Sequence, residues 1–340
     1  MSKIKIDTAY SVLELASVAA GSTPGAALKN SLELARKAEE FGYTRFWLAE
    51  HHNMISIASS ATSVMISYIA SGTEKIKVGS GGIMLPNHSP LIVAEQFGTL
   101  GSLFPGRIDM GLGRAPGTDQ VTAHAIRSDR MQSVYKFPEE VSQIQQYFSP
   151  DNRGAQVRAT VAEGVEVPVY ILGSSTDSAH LAAEKGLPYA FASHFAPAQL
   201  FEALTIYYNN FQPSEYLQEP YTIACINVIA ADTDQEAERI STSMIRMMLG
   251  VMTGQMDYMQ PPVDMTPELR ELSENPAFQR MLKYVFVGSK ETVKKKTEAF
   301  LQETGVNEVM VVSHVYDHED RVKSYRVFSE IMQEIKGEEA

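Results

Sequence analysis

Short apolar runs alternate with helical periodicity along almost the whole chain. Eight of the runs read as strands, at about 9–16, 45–51, 76–82, 107–113, 167–173, 188–194, 221–230 and 307–313. Amphipathic helices fill the intervals. Leu28, Leu32, Ala35 and Ala38 share one face ahead of Gly42, and Ala94, Phe97, Leu100 and Phe104 share another ahead of Pro105-Gly106. Repeated strand-helix units predict a parallel sheet.

Eight such units suit a closed (β/α)8 TIM barrel with rim insertions better than an open doubly wound sheet, because of where the polar residues fall. Glu14, Glu50-His51-His52, Gly81-Gly82, Gly113-Arg114, Gly173-Ser174-Ser175, Ser193-His194 and Ser313-His314 all lie at or just beyond strand C-termini. A barrel gathers those ends onto one rim, where the sites of this fold sit. Two segments break the pattern. Residues 114–132 lack clear periodicity, and residues 252–285 hold a Met/Pro-rich stretch, Met252 to Gln260 and then Pro261-Pro262. Both read as rim excursions of one domain spanning 1–340, each a lid, a substrate wall or simple decoration.

Composition narrows the class. With 340 residues, 44% hydrophobic and 21% charged, the chain has the make-up of a soluble enzyme with a large core. The net charge of −12, with no basic run denser than Lys294-Lys295-Lys296, argues against nucleic acid as a partner. The one cysteine, Cys225, excludes an intramolecular disulfide and sits in an apolar run as a small core residue. The absence of a signal-like N-terminus and of any 18-residue apolar window leads to the expectation of a cytoplasmic protein with no membrane contact.

Phe46-Trp47-Leu48-Ala49-Glu50-His51-His52 runs an apolar strand straight into three groups that can bind protons. Alternation sends Trp47 and Ala49 to one face and Phe46, Leu48 and Glu50 to the other, so at most one of the two histidines shares a face with Glu50. One of them can be a merely structural, hydrogen-bonded imidazole. Imidazole is the usual acid or base near neutral pH, which makes this pair the first candidate for function.

Gly79-Ser80-Gly81-Gly82 and Gly111-Leu112-Gly113 end two strands, so main chain there can approach a large flat ligand; tight packing inside the barrel explains such glycines as well. Gly173-Ser174-Ser175-Thr176-Asp177-Ser178 leads from a strand into a helix and offers N–H groups and hydroxyls suited to a phosphate, although hydroxyls also serve as plain caps. Arg114 would add a forked positive charge on the same rim. No GxGxxG follows the first strand, and neither GxxxxGK[ST] nor HExxH occurs, so a Rossmann site, a P-loop and a zinc site are not indicated.

Four blocks carry a resemblance: Phe46 to His52, Val78 to Pro90, Pro105 to Arg114, and Val169 to Ser175. In order and spacing they resemble the bacterial-luciferase-like flavin monooxygenases over about residues 10–335, and most of all the single-chain, FMN-linked YhbW-type branch. The resemblance implies a TIM barrel, often a homodimer, that holds FMN as FMNH2 at the C-terminal rim. By position it implies His51 in the flavin and substrate chemistry, with Glu50 beside the flavin. It implies a cis peptide at Gly81-Gly82 under the ring, and Arg114, Ser175 and Ser178 on the phosphate, with Arg127 a further candidate. Gly173 and Ser174 belong to the same loop. Gly113 stands where the luciferase catalytic chain has a cysteine, so light emission is not expected.

The activity that the resemblance implies is that of a monooxygenase fed with FMNH2 by a separate NAD(P)H:flavin reductase. It would form a C4a-(hydro)peroxyflavin with O2 and oxygenate a small organic substrate, such as a long-chain aldehyde, an alkane-like molecule or a sulfur compound. An F420-dependent hydride-transfer oxidoreductase on the same barrel, a noncatalytic flavin-binding protein and a metal hydrolase are the alternatives.

Overall fold

Strict two-residue alternation organises the core. In a computed structural model, which describes residues 7–337, ten strands form: β1 (Ala9–Glu14), β2 (Arg45–Leu48), β3 (Lys77–Ser80), β4 (Ile83–Met84), β5 (Ile108–Gly113), β6 (Val169–Gly173), β7 (Tyr189–Phe191), β8 (Thr222–Ala230), β9 (Val285–Gly288) and β10 (Glu308–Val312). Leu13, Trp47, Ala49, Tyr170, Ala190, Ile223, Cys225, Met310 and Val312 point inward as one apolar plug. Their neighbours Val12, Phe46, Leu48, Ile171, Ala224, Ile226, Val309 and Val311 point outward into the larger core beneath the helices.

The strands pair in parallel in the order β10-β1-β2-β3-β5-β6-β7-β8, and β8 returns to β10, which closes an eight-stranded barrel. This is the expected (β/α)8 fold. The two extra strands are short: β4 pairs with the end of β5, and β9 pairs with Asn227–Ala230, the outer half of β8.

The helices are α1 (Pro24–Glu40), α2 (Thr62–Ser71), α3 (Pro90–Leu103), α4 (Gln120–Ile126), α5 (Arg130–Tyr135), α6 (Phe137–Phe148), α7 (Thr176–Glu184), α8 (Leu200–Asn210), α9 (Asp234–Thr253), α10 (Pro267–Glu274), α11 (Pro276–Met281), α12 (Lys290–Thr304) and α13 (His318–Lys336). α1 starts where Thr23 accepts from the Ala26 amide and Pro24 occupies the first turn, and it buries Ala27, Ser31, Leu34, Ala35 and Ala38. That face is rotated slightly from the one read in the sequence. The two aperiodic segments are partly helical: α4 and α5 lie in or across 114–132, and α10 and α11 lie in 252–285. No helix among the described residues is long and apolar enough to cross a membrane.

The N-terminal end of the barrel is closed by a buried ionic cluster. Arg45 reaches Asp109 at 2.7 Å and Glu308 at 2.9 Å, and donates to the Tyr170 hydroxyl at 2.8 Å. The opposite rim, where the strands end, carries the titratable groups.

Candidate functional site

Beyond Leu48 the chain turns onto the rim with Glu50 almost wholly buried, at 1% exposure. Its carboxylate accepts hydrogen bonds from His52 Nε2 at 2.9 Å, His88 Nε2 at 2.9 Å, the Met84 amide at 2.9 Å and Asn87 Nδ2 at 3.1 Å. A carboxylate only accepts, so both imidazoles present N–H to it. Burial by itself would raise the Glu50 pKa. The bonds from His52, His88 and Met84 outweigh that and hold it at about 2. Asn87 also donates to Pro116 O, and His52 N donates to Gly117 O, so the loop after β5 is fastened to the end of β2. Gly117 has φ +66° and a Cβ there would lie 2.5 Å from Glu50 O, which is why glycine is needed at that crossing.

His51 faces the other way. Trp47 and Ala49 are inward, and His51 continues that face one step above the plug. Its Nδ1 is buried without a hydrogen-bond partner, and burial lowers its pKa to about 4, with Glu50 opposing and His52 adding to the shift. Two further imidazoles join it. His314 continues the inward series Met310, Val312, and His194 follows β7; their Nδ1 atoms are likewise buried and unpartnered. Burial depresses His194 to about 3 and His314 to about 4; each also feels His51, His194 feels His314, and Arg321 acts on His314. Asn227, inward on β8 after Ile223 and Cys225, donates to His194 O at 2.7 Å and leaves Oδ1 unpartnered. Three neutral rings and one amide thus crown the barrel interior.

The Gly81-Gly82 peptide is cis. A Cβ at Gly81 would lie 2.7 Å from Leu13, one at Gly82 2.7 Å from Gly111 O, one at Gly111 2.2 Å from Ser80 O and one at Gly113 2.8 Å from Met84. Backbone contacts between β3, β4 and β5 therefore account for Gly82 and Gly111 without a ligand, whereas at Gly81 and Gly113 the nearest atoms are the ends of the Leu13 and Met84 side chains, which can move.

The loop after β6 starts α7 as the sequence suggests. Ser175 is its N-cap and makes no side-chain capping bond. Arg114 reaches the first turn, with Nη2 2.9 Å from Asp177 Oδ2. Ser178 turns back beneath Gly173, where a Cβ would lie 1.8 Å from its Oγ, and donates to Ser175 O at 2.9 Å. The N-terminus of α7 and an arginine therefore meet on the rim, as an anion requires. Asp177 already occupies that guanidinium, so a phosphate must share or displace the pair. Arg127 is tied elsewhere: it donates to His88 O and pairs with Asp129 at 2.8 Å. Its position links it to the Glu50 cluster.

Two residues of the rim escape a reading of the sequence. His88 lies in the block Asn87-His88-Ser89-Pro90, and only its contact with Glu50 shows its part. Asn227 carried a signal, an isolated amide inside the otherwise apolar run Ile223–Ala230. Among the described residues no cluster of three or more His, Cys, Asp or Glu could hold a metal ion.

Residues 9–308 match the family model for luciferase-like monooxygenase, and the chain belongs to that family. An Escherichia coli K12 luciferase-like monooxygenase is 46% identical over 329 residues, covering 97% of this chain and 98% of the relative. The N-acetyl-S-alkylcysteine monooxygenase of Bacillus subtilis is 36% identical over 247 residues, 70% of this chain and 73% of that one. The solved structure of apo-MsnO8 superposes with a TM-score of 0.88 at 35% identity, covering 96% and 98% of the two chains. More distant structures share the fold alone: an FMN complex of the oxygenating constituent of 3,6-diketocamphane monooxygenase from Pseudomonas putida (TM-score 0.71, 17% identity) and an F420-dependent secondary alcohol dehydrogenase (0.66, 18%). The chain is accordingly a flavin-dependent monooxygenase or oxidoreductase by family.

Proposed function

We propose that this protein is an FMN-dependent monooxygenase that receives reduced FMN from a separate NAD(P)H:flavin reductase, acts as a homodimer in the cytoplasm, and is one domain throughout. When bound, reduced FMN supplies the two electrons that let O2 deliver one oxygen atom to a small organic substrate, the other leaving as water. The observation that supports FMN is the meeting of Arg114 with the N-terminus of α7 on the rim that also carries His51. The donor set fits a phosphate at one end and leaves an unpartnered imidazole for the reacting end.

Each residue then has a defined task. Gly173, Ser174, Ser175 and Arg114 hold the phosphate, with Ser178 bracing their loop. The packed Gly81-Gly82 turn offers backbone to the flavin ring. His51, neutral at pH 7, holds or moves a proton at Nδ1. Glu50 is a positioning residue: it fixes His52, His88 and the loop after β5. Arg127 supports the same rim through His88 O. The loops at 114–132 and 252–285 exclude water. Val64 and Tyr68 on α2 and Ile92 and Leu103 on α3 are exposed apolar side chains on adjacent helices, which supports the homodimer. The B. subtilis relative's name makes a thioether the first substrate to try.

Purified protein supplied with reduced FMN, 18O2 and an alkyl thioether should give a product carrying one 18O atom. Oxygen consumption that ends wholly in hydrogen peroxide, across thioether, aldehyde and alkane substrates, contradicts the proposal.

A further inference from the structure

The crown of the barrel interior presents four polar atoms without a partner, of which only His51 Nδ1 has a task in the function proposed above. His51, His194 and His314 each present a buried, unpartnered Nδ1, and Asn227 presents a buried, unpartnered Oδ1. Most buried polar groups in folded proteins are paired, and although single orphans occur elsewhere in this one, four at one level of the barrel interior need an explanation. They sit directly above the apolar plug, on the inward face of the strands, where alternation brings β2, β8 and β10 together.

The kind of partner they suit is set by their chemistry. Each neutral imidazole can donate or accept through its free nitrogen, while the Asn227 oxygen only accepts, since its Nδ2 is committed to His194 O. A partner must therefore bring at least one N–H or O–H for Asn227, and an acceptor for whichever imidazoles donate. Among the described residues, the cation that acts on His314 is Arg321, whose charge is already met by Glu14 at 3.2 Å; its Nη2 turns toward His318, and its Nε is left as a further buried donor rather than a free charge for a carboxylate. Glu50 places a negative charge behind His51. A purely hydrocarbon or acceptor-only end would leave Asn227 Oδ1 desolvated and unpaired.

Resting on the monooxygenase reading above, we infer that His51, His194, His314 and Asn227 form the floor of the substrate pocket and select a substrate whose buried end is an uncharged group with both a donor and an acceptor, such as a secondary amide. The four residues then determine specificity, and the apolar remainder of the substrate lies toward the rim loops.

The test compares two thioethers of equal length, one ending in a secondary amide and the other in the isosteric ester, by calorimetric binding to the FMN-loaded protein. The amide should bind at least about tenfold more tightly, the consequence of leaving one buried acceptor unpaired in the ester complex. Asn227→Leu should abolish the preference. Asn227→Asp keeps an acceptor but loses the donor to His194 O, and should retain it; if Asn227 only braced the His194 loop, both variants would lose it. Equal binding of amide and ester, or binding of neither while FMN is held normally, overturns the inference. Failure of the unaltered protein to bind FMN overturns instead the functional reading on which the inference rests.

Discussion

Replacing Glu50 by Gln tests the most tightly specified group on the rim. The side chain is 1% exposed and its pKa falls from an ordinary 4.5 to about 2, because bonds from His52, His88 and the Met84 amide outweigh the opposing effect of burial. A depressed carboxylate stabilises the fold above its unfolded pKa and loses that contribution as pH falls through the folded value. A shift of this size is worth about 3 kcal/mol at pH 7 and about 1.4 kcal/mol at pH 3. Glutamine cannot ionise, so the stability difference between the parent protein and Glu50→Gln should shrink by roughly half over that range. The buried histidines complicate the absolute curves. His51, His194 and His314 have folded pKa values below 6.5, so the unfolded chain takes up protons first and both proteins lose stability as pH falls below 6.5. The losses at His194 and His314 are common to both and cancel in the difference; because Glu50 raises the His51 pKa, the comparison is made with His51 replaced by Gln in both proteins. Urea unfolding at several pH values measures it, and a difference that stays flat, or grows, toward pH 3 would mean that these bonds do not hold Glu50 ionised.

Three other outcomes are expected. Arg114→Ala should weaken FMN binding about tenfold, near the lower end for a charge-assisted hydrogen bond because the side chain is 44% exposed, whereas Asp177→Asn should tighten it; fluorescence titration that shows neither change removes Arg114 from the phosphate site. His51→Ala should lower the product formed per O2 consumed and raise peroxide release, and normal coupling in that variant takes His51 out of the chemistry. Arg45→Leu should destabilise the barrel by about 3–5 kcal/mol in denaturant unfolding, because it leaves Asp109 and Glu308 buried without their counter-charge; a loss under about 1 kcal/mol would show that the cluster relaxes or admits water.

The barrel was legible because each of its eight strands lies within a distinct apolar run followed by a helical interval. Two-residue alternation placed Trp47 and Ala49 inward and put one histidine, His52, on the side of Glu50. β4, of two residues, is too short to show a period, and it lies within the glycine-rich block. The rim segments were opaque for another reason. α4, α5, α10 and α11 are six to eight residues long, and α10 sets only Leu269 and Leu272 against the core, a face too short to repeat. The Glu50 cluster was half legible. Glu50 and His52 are near neighbours in sequence, whereas His88 arrives through a short turn far along the chain that only the fold brings back. The glycines show the limit of composition: strand packing alone requires Gly82 and Gly111, and a flavin would be an additional use of the same surface.

If the rim is built for reduced FMN, anaerobic titration of the purified protein with reduced FMN and, separately, with reduced F420 should show selective binding of reduced FMN, weakened by Arg114→Ala. Selective binding of reduced F420, or affinity for neither, would mean that Arg114 and the N-terminus of α7 do not form an FMN phosphate site.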